Sequence, residues 1–177
     1  MLGLFFAYNK IIVCFNAFDI NKQIKHMIDL KIPPPVIACV MAALMYVSQL
    51  LLGTLELELA NKLTISLSIA AAALLLDFFA LWRFVQAKTT VNPIKADKVS
   101  ALVTTGVYRF SRNPMYVGNA LFLLAWMVYL ANPLNALFIV AYVMYTTKFQ
   151  IIPEERILTE HFGDEYRSFC QQVRRWL

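Results

Sequence analysis

Residues 106–118 carry Tyr108, Arg109, Ser111, Arg112, Asn113 and Tyr116 between two glycines, and the adjacent carboxylates Glu154 and Glu155 follow later in the chain. Asn113 followed by Pro114 suits the cap and first turn of a helix, which leaves backbone N–H groups aimed outward where a polar ligand group can dock. Glu154 and Glu155 read either as charges favoured at a helix N-terminus or as a site for a cationic ligand. Neither has a basic residue four positions on. His161 reads as a solvated helical histidine. Asp77 lies in an apolar stretch, where an ionisable group is costly unless it is paired or near the interface. Arg83 stands six positions on, off its face, so Asp77 is expected to snorkel toward the nearby helix end. Cys14, Cys39, Cys170, His26 and His161 are dispersed without ligand spacing, so neither a metal site nor a disulfide framework is expected. Cys39 and Cys170 read as small apolar residues on helix faces.

The elements that must position these groups are apolar. The chain has 177 residues, is 60% hydrophobic and only 15% charged, and has a mean hydropathy of +0.60. Those values point to an integral membrane protein rather than a soluble domain. The net charge of +5 is spread beside apolar runs rather than along a basic stripe with interleaved aromatics, so nucleic acid is not an expected partner.

The expected fold is all-α and polytopic, with about four transmembrane helices, a helical hairpin and a C-terminal amphipathic surface helix. Residues 36–52 carry no charge and are long enough to cross hydrocarbon. A second helix is predicted over 63–85. The uncharged run 113–147 is too long for one crossing, and Asn132-Pro133-Leu134-Asn135 divides it into predicted helices at 115–131 and 134–151. After Pro153, Leu158, Phe162, Tyr166, Phe169 and Val173 recur at helical spacing among charges, which predicts a surface helix lying against the membrane face. Residues 1–26 read as an N-terminal extension, interfacial or dispensable, and 27–177 as a single integral membrane domain.

Segment 86–113 holds Lys88, Lys95, Lys98, Arg109 and Arg112 against Asp97, whereas loop 53–62 holds Glu56 and Glu58 against Lys62. The positive-inside rule therefore puts 86–113 and both termini in the cytoplasm, with a bacterial inner membrane as the expected location.

Over residues 80–175 the chain resembles the isoprenylcysteine carboxyl methyltransferase and phospholipid methyltransferase family of small membrane enzymes. The resemblance rests on Leu102-Val103-Thr104-Thr105-Gly106-Val107-Tyr108, Arg112-Asn113-Pro114-Met115-Tyr116-Val117-Gly118, Glu154-Glu155 and Phe162-Gly163-Asp164-Glu165-Tyr166. It implies S-adenosylmethionine as methyl donor, bound at the cytoplasmic face. By the same resemblance Ser100, Ala101, Leu102, Val103 and Tyr108 line the cofactor, Asn113, Pro114, Met115 and Tyr116 contact it at the helix start, and Glu154 holds its charged portion. No catalytic residue is assigned and no metal is implied. The acceptor is expected to be a membrane lipid or other lipophilic small molecule.

Two positions depart from the family pattern. Asn113 replaces a histidine, and Gln150 stands where the isoprenylcysteine enzymes place an arginine for the substrate carboxylate. The alternatives are phospholipid N-methylation, a non-catalytic protein binding lipid or a partner, and, more remotely, a membrane reductase.

Overall fold

Proline sets where the first helix begins. Pro34 and Pro35 fill the first turn of α1, Pro34–Leu52, where a missing N–H costs nothing. The structure, a computed structural model, describes residues 32–52, 60–87 and 101–177. The predicted extension 1–26, the acidic loop residues Glu56 and Glu58, and Lys88, Lys95, Asp97, Lys98 and Ser100 lie outside the described residues.

Helix α2 spans Lys62–Gln86 and α3 spans Pro114–Leu130, with Pro114 in the first turn as its residue type predicts. Ala131 adopts a left-handed conformation that ends α3. The Asn132 side-chain oxygen then accepts the Leu134 N–H at 3.1 Å and starts a single 3-10 turn, Pro133–Asn135. This is the predicted hairpin turn, held by an Asx-type bond.

Beyond it the chain departs from expectation. Helix α4, Ala136–Thr146, passes through a π-helical turn, Thr147–Ile151, directly into α5, Ile152–Phe162. Pro153 therefore does not open a separate surface helix. The Ile152 N–H bonds to the Thr147 carbonyl, five residues back. In an unbroken α ladder Pro153 would offer no N–H and would press its ring on the Phe149 carbonyl, and the wider turn accommodates both defects. The helical course ends at Gly163, whose φ of +55° a side chain rarely adopts, and α6, Asp164–Gln172, follows. The predicted apolar stripe is thus split between two helices. Its residues pack on the protein itself: Leu158, Phe162, Tyr166, Phe169 and Val173 cluster with Ala80, Phe84, Val103 and Tyr108.

Contacts along the helices define an up-down arrangement. Ser66 donates to the Ala125 carbonyl at 2.7 Å, and Arg83 lies against Gly106, so α2 and α3 run antiparallel. Trp126 donates to the Ala42 carbonyl and Gln49 to the Leu130 carbonyl, aligning α1 with α3. Ser48 bonds to Asn135 near one end of α1, and Gln150 reaches the Ile32 carbonyl near the other. Helix α3 is central and packs on α1, α2 and α4.

The described residues include three helical stretches long and apolar enough to cross a membrane: Pro34–Leu51, Lys62–Gln86 and Pro133–Phe162. Pro114–Leu130, at 17 residues, is shorter. Leu50, Leu51, Leu67, Leu74, Phe78, Val85, Leu137 and Met144 are exposed around them, an apolar surface of the kind hydrocarbon accepts.

Candidate functional site

The polar groups gather at the end of the bundle where α3 begins and α5 emerges. Tyr116, in the first turn of α3, donates its hydroxyl to Glu154 Oε1 at 2.7 Å. Among the described residues no lysine, arginine or histidine forms an ion pair with Glu154. Its neighbour is held quite differently. Glu155 receives both Nε and Nη2 of Arg175, at 2.9 and 2.7 Å, and Arg112 Nη2 at 3.2 Å. The hydrogen bond and charge of Glu155 raise the Arg175 pKa against a smaller opposing effect of burial. The two adjacent carboxylates, alike in sequence, thus divide: Glu155 is neutralised by two arginines, whereas Glu154 is held by the Tyr116 hydroxyl.

The residues after α6 close this end. The Arg112 N–H bonds to the Arg174 carbonyl at 3.0 Å, and the Arg175 carbonyl accepts from Asn113 Nδ2 at 3.0 Å and Ser111 Oγ at 3.4 Å. Trp176 donates to Thr147 Oγ1 at 3.0 Å and sets its ring edge-on near Tyr116, 6.5 Å between centroids. Asn113 occupies the predicted boundary position, but its side chain makes no cap bond. Its amide is drawn to Arg175, while its backbone carbonyl accepts from Tyr116 and Val117. Arg112 is buried against Glu155 with its side chain 12% exposed.

The other expected residues sit on the adjoining apolar wall. Tyr108, in the 3-10 turn Gly106–Arg109, is buried edge-on to Phe84 at 5.6 Å. Burial, then the negative charges of Asp77 and Glu154, push its phenol pKa up, so it remains a hydrogen-bond donor. Leu102, Val103 and Met115 share its cluster. Pro114 is fully buried, and Ala101 is half-buried at the start of the described segment.

Three further residues complete this region, and the first departs from expectation. Asp77 does not snorkel: its Oδ1 is enclosed without a partner, and its carboxylate lies so close to Gly118 that a Cβ there would overlap it. Gln150 is buried, with its amide committed to the Ile32 carbonyl. Cys170 is partly buried beside the Arg112 guanidinium. The roles of Arg175 and Trp176 were missed. Their only signal is a Glu155 lacking a helical partner in a chain that also carries Arg174, Arg175 and Trp176.

Helices fit to span a bilayer, with a cluster of ionisable groups at one end of the bundle, define an integral membrane protein. Residues 61–165 match the phospholipid methyltransferase family, and the chain belongs to that family. It is 46% identical over 63 residues to an uncharacterized protein of Haemophilus influenzae, covering 36% of this chain and 100% of the other. It is 37% identical over 88 residues to a probable protein-S-isoprenylcysteine O-methyltransferase of Oryza sativa subsp. indica, which is 48% of this chain and 44% of that protein. Protein-S-isoprenylcysteine O-methyltransferase B of Arabidopsis thaliana is 32% identical over 85 residues, 48% of this chain and 43% of the plant protein. The chain thus matches less than half the length of these plant relatives. No solved structure shows a significant match.

Proposed function

We propose that this protein is an S-adenosylmethionine-dependent methyltransferase acting on a lipophilic acceptor at the cytoplasmic face of its membrane. The observation that carries the reading is Glu154: a half-buried carboxylate, oriented by Tyr116 and without an ion-pair partner among the described residues, beside a Glu155 that two arginines satisfy. Such a group fits a ligand bearing positive charge, and the donor carries a sulfonium and an ammonium. When bound, it supplies an electrophilic methyl group. Glu154 would hold its charged portion, and Tyr116 fixes the carboxylate's direction. Asn113, Pro114 and Met115 form the adjoining helix start, and Ser100, Ala101, Leu102, Val103 and Tyr108 the apolar side. Trp176 and the residues around it shield the site from water.

The proposed topology has four crossings, formed by α1, α2, α3 and the course from α4 into α5, with residues 27–177 as one domain and 1–26 as an extension. Helix α3 is short but enclosed by the other three, and the positive-inside rule directs its first turn to the cytoplasm, where the donor is made.

Gln150 bears on the acceptor. A charged prenylcysteine would bring a carboxylate, and Gln150, buried with its amide nitrogen donating to the Ile32 carbonyl, offers no charge to pair with it. Leaving an anion uncompensated beside lipid costs several kcal/mol, roughly 2 to 7 on transfer scales. This favours a membrane lipid over a prenylcysteine and makes phospholipid N-methylation the second reading. The test is calorimetry of detergent-purified protein with S-adenosylmethionine, with NADPH as control, followed by methyl transfer to a host lipid extract or to N-acetyl-farnesylcysteine. Donor binding with product from the lipid extract is expected. NADPH binding, or no binding of either, would leave the protein a reductase or a non-catalytic lipid-binding protein.

A further inference from the structure

Residues 174–177 tie three separate parts of the protein together. The Arg174 and Arg175 carbonyls take donors from Ser111, Arg112 and Asn113, the Arg175 guanidinium grips Glu155, and Trp176 donates to Thr147 in the π turn. Under this segment lies the Tyr116–Glu154 pair. The Trp176 ring stands edge-on to Tyr116, which is only 7% exposed and whose hydroxyl holds Glu154. A ligand that meets Glu154 from this side has to displace the segment.

The segment is built to come away. Its attachments are mostly polar, Trp176 is the side chain that packs on apolar neighbours, and Arg174 and Leu177 are exposed. The groups it would leave keep other partners. Glu155 retains Arg112 at 3.2 Å, Thr147 Oγ1 still donates to the Val143 carbonyl at 2.6 Å, and Ser111 Oγ still accepts the Asn113 N–H at 3.1 Å. Detachment therefore leaves no buried carboxylate uncompensated, while Arg175 passes into water. One hinge is enough, because Val173 already leaves α6 with an extended backbone. Helix α6 itself stays anchored by Tyr166 and Phe169, buried against Ala80, Val103 and Tyr108.

We propose that residues 174–177 form a gate over the Tyr116–Glu154 pair, hinged at Val173 and latched by Arg175 on Glu155, which opens to admit the donor and closes on it. This rests on the methyltransferase reading above and says how its donor site is reached.

Hydrogen exchange read by mass spectrometry, and donor binding rates from rapid filtration with radiolabelled S-adenosylmethionine, test it on the full-length protein in detergent. Saturating S-adenosylmethionine should slow exchange of the C-terminal peptide about tenfold and leave the Tyr166–Phe169 stretch unchanged. Arg175→Gln, with Glu155 still paired to Arg112, should speed C-terminal exchange about tenfold in the absence of donor. In that variant donor association and dissociation should both rise about tenfold with affinity nearly unchanged, since a latch sets how often the gate is open. Arg167→Gln, on the exposed side of α6, should alter neither rate. Faster dissociation alone would make the segment a fixed wall and overturn the gate, as would C-terminal exchange that Arg175→Gln leaves unchanged. If the unaltered protein binds no S-adenosylmethionine, the function proposed above falls. Faster C-terminal exchange in Arg175→Gln would then keep the gate for another ligand, and unchanged exchange would remove it too.

Discussion

Replacing Glu154 with glutamine removes one charge and almost nothing else, because the remaining amide oxygen can still accept the Tyr116 hydroxyl that the carboxylate accepts at 2.7 Å. The expected loss follows from the absence of competing cations among the described residues. Two unit charges about 4 Å apart at an effective dielectric near 20 attract by about 4 kcal/mol, which is a ceiling. The carboxylate also loses hydration when a ligand covers it, and it already shares one oxygen with Tyr116. The usual net value of a charge-assisted contact, about 1.5 to 3 kcal/mol, is therefore the better figure. That corresponds to roughly ten- to a hundredfold weaker binding of S-adenosylmethionine. Calorimetry on the detergent-purified protein measures it directly, with the melting temperature recorded alongside. Glu160→Gln, on an exposed position of the same helix, should change affinity little. Equal affinities for the two variants, or a Glu154→Gln loss that merely tracks unfolding, would refute the assignment.

Glu155→Gln should behave in the opposite manner. It leaves Arg112 and Arg175 facing each other without their shared carboxylate, and stability should fall by about 2 to 3 kcal/mol, less than for a fully buried pair because Arg175 is 37% exposed. A melting curve checks this, and an unshifted midpoint would show the clamp to be idle. Gly106→Ala should destabilise by about 1 to 2 kcal/mol, since φ is +66° and the new Cβ would meet the Arg83 guanidinium. An unchanged denaturation midpoint would count against that strain. In a variant freed of its native cysteines, Arg167→Cys should react with an impermeant maleimide from the cytoplasm, and Ala60→Cys, also exposed, from the opposite side. The reverse pattern would invert the proposed topology.

What could be read in the sequence were signals that act locally. Proline without an N–H marked the start of α3, and Asn132-Pro133 marked the hairpin, because both effects operate within a turn. Uncharged runs gave the helices, since hydrocarbon selects on composition and length. The division of labour between Glu154 and Glu155 was not legible. It depends on Arg175, twenty residues beyond Glu155, returning to the same place. Asp77 was misjudged for a related reason. The space it occupies is made by a glycine on another helix, and a one-helix argument could weigh only its distance from the membrane surface. The stripe from Leu158 to Val173 was correct as a pattern, but its partner surface on α2 and the 101–110 segment could not be inferred from periodicity.

The π turn at Thr147–Ile151 also bears on chain length. A single π turn holds one residue more than the α turn it replaces, so the helix beyond keeps nearly the rotational phase it would have had without that residue. Deleting Lys148, which is exposed, would close the turn to ordinary α spacing with Glu154 still facing Tyr116, at the cost of restoring the Pro153 ring contact that the wider turn relieves. The same deletion inside α4 would rotate everything downstream by about 100° and exchange the surroundings of the two glutamates. The bulge is therefore a store of slack, and a homologous chain one residue shorter at this point could present the same carboxylate to the same ligand.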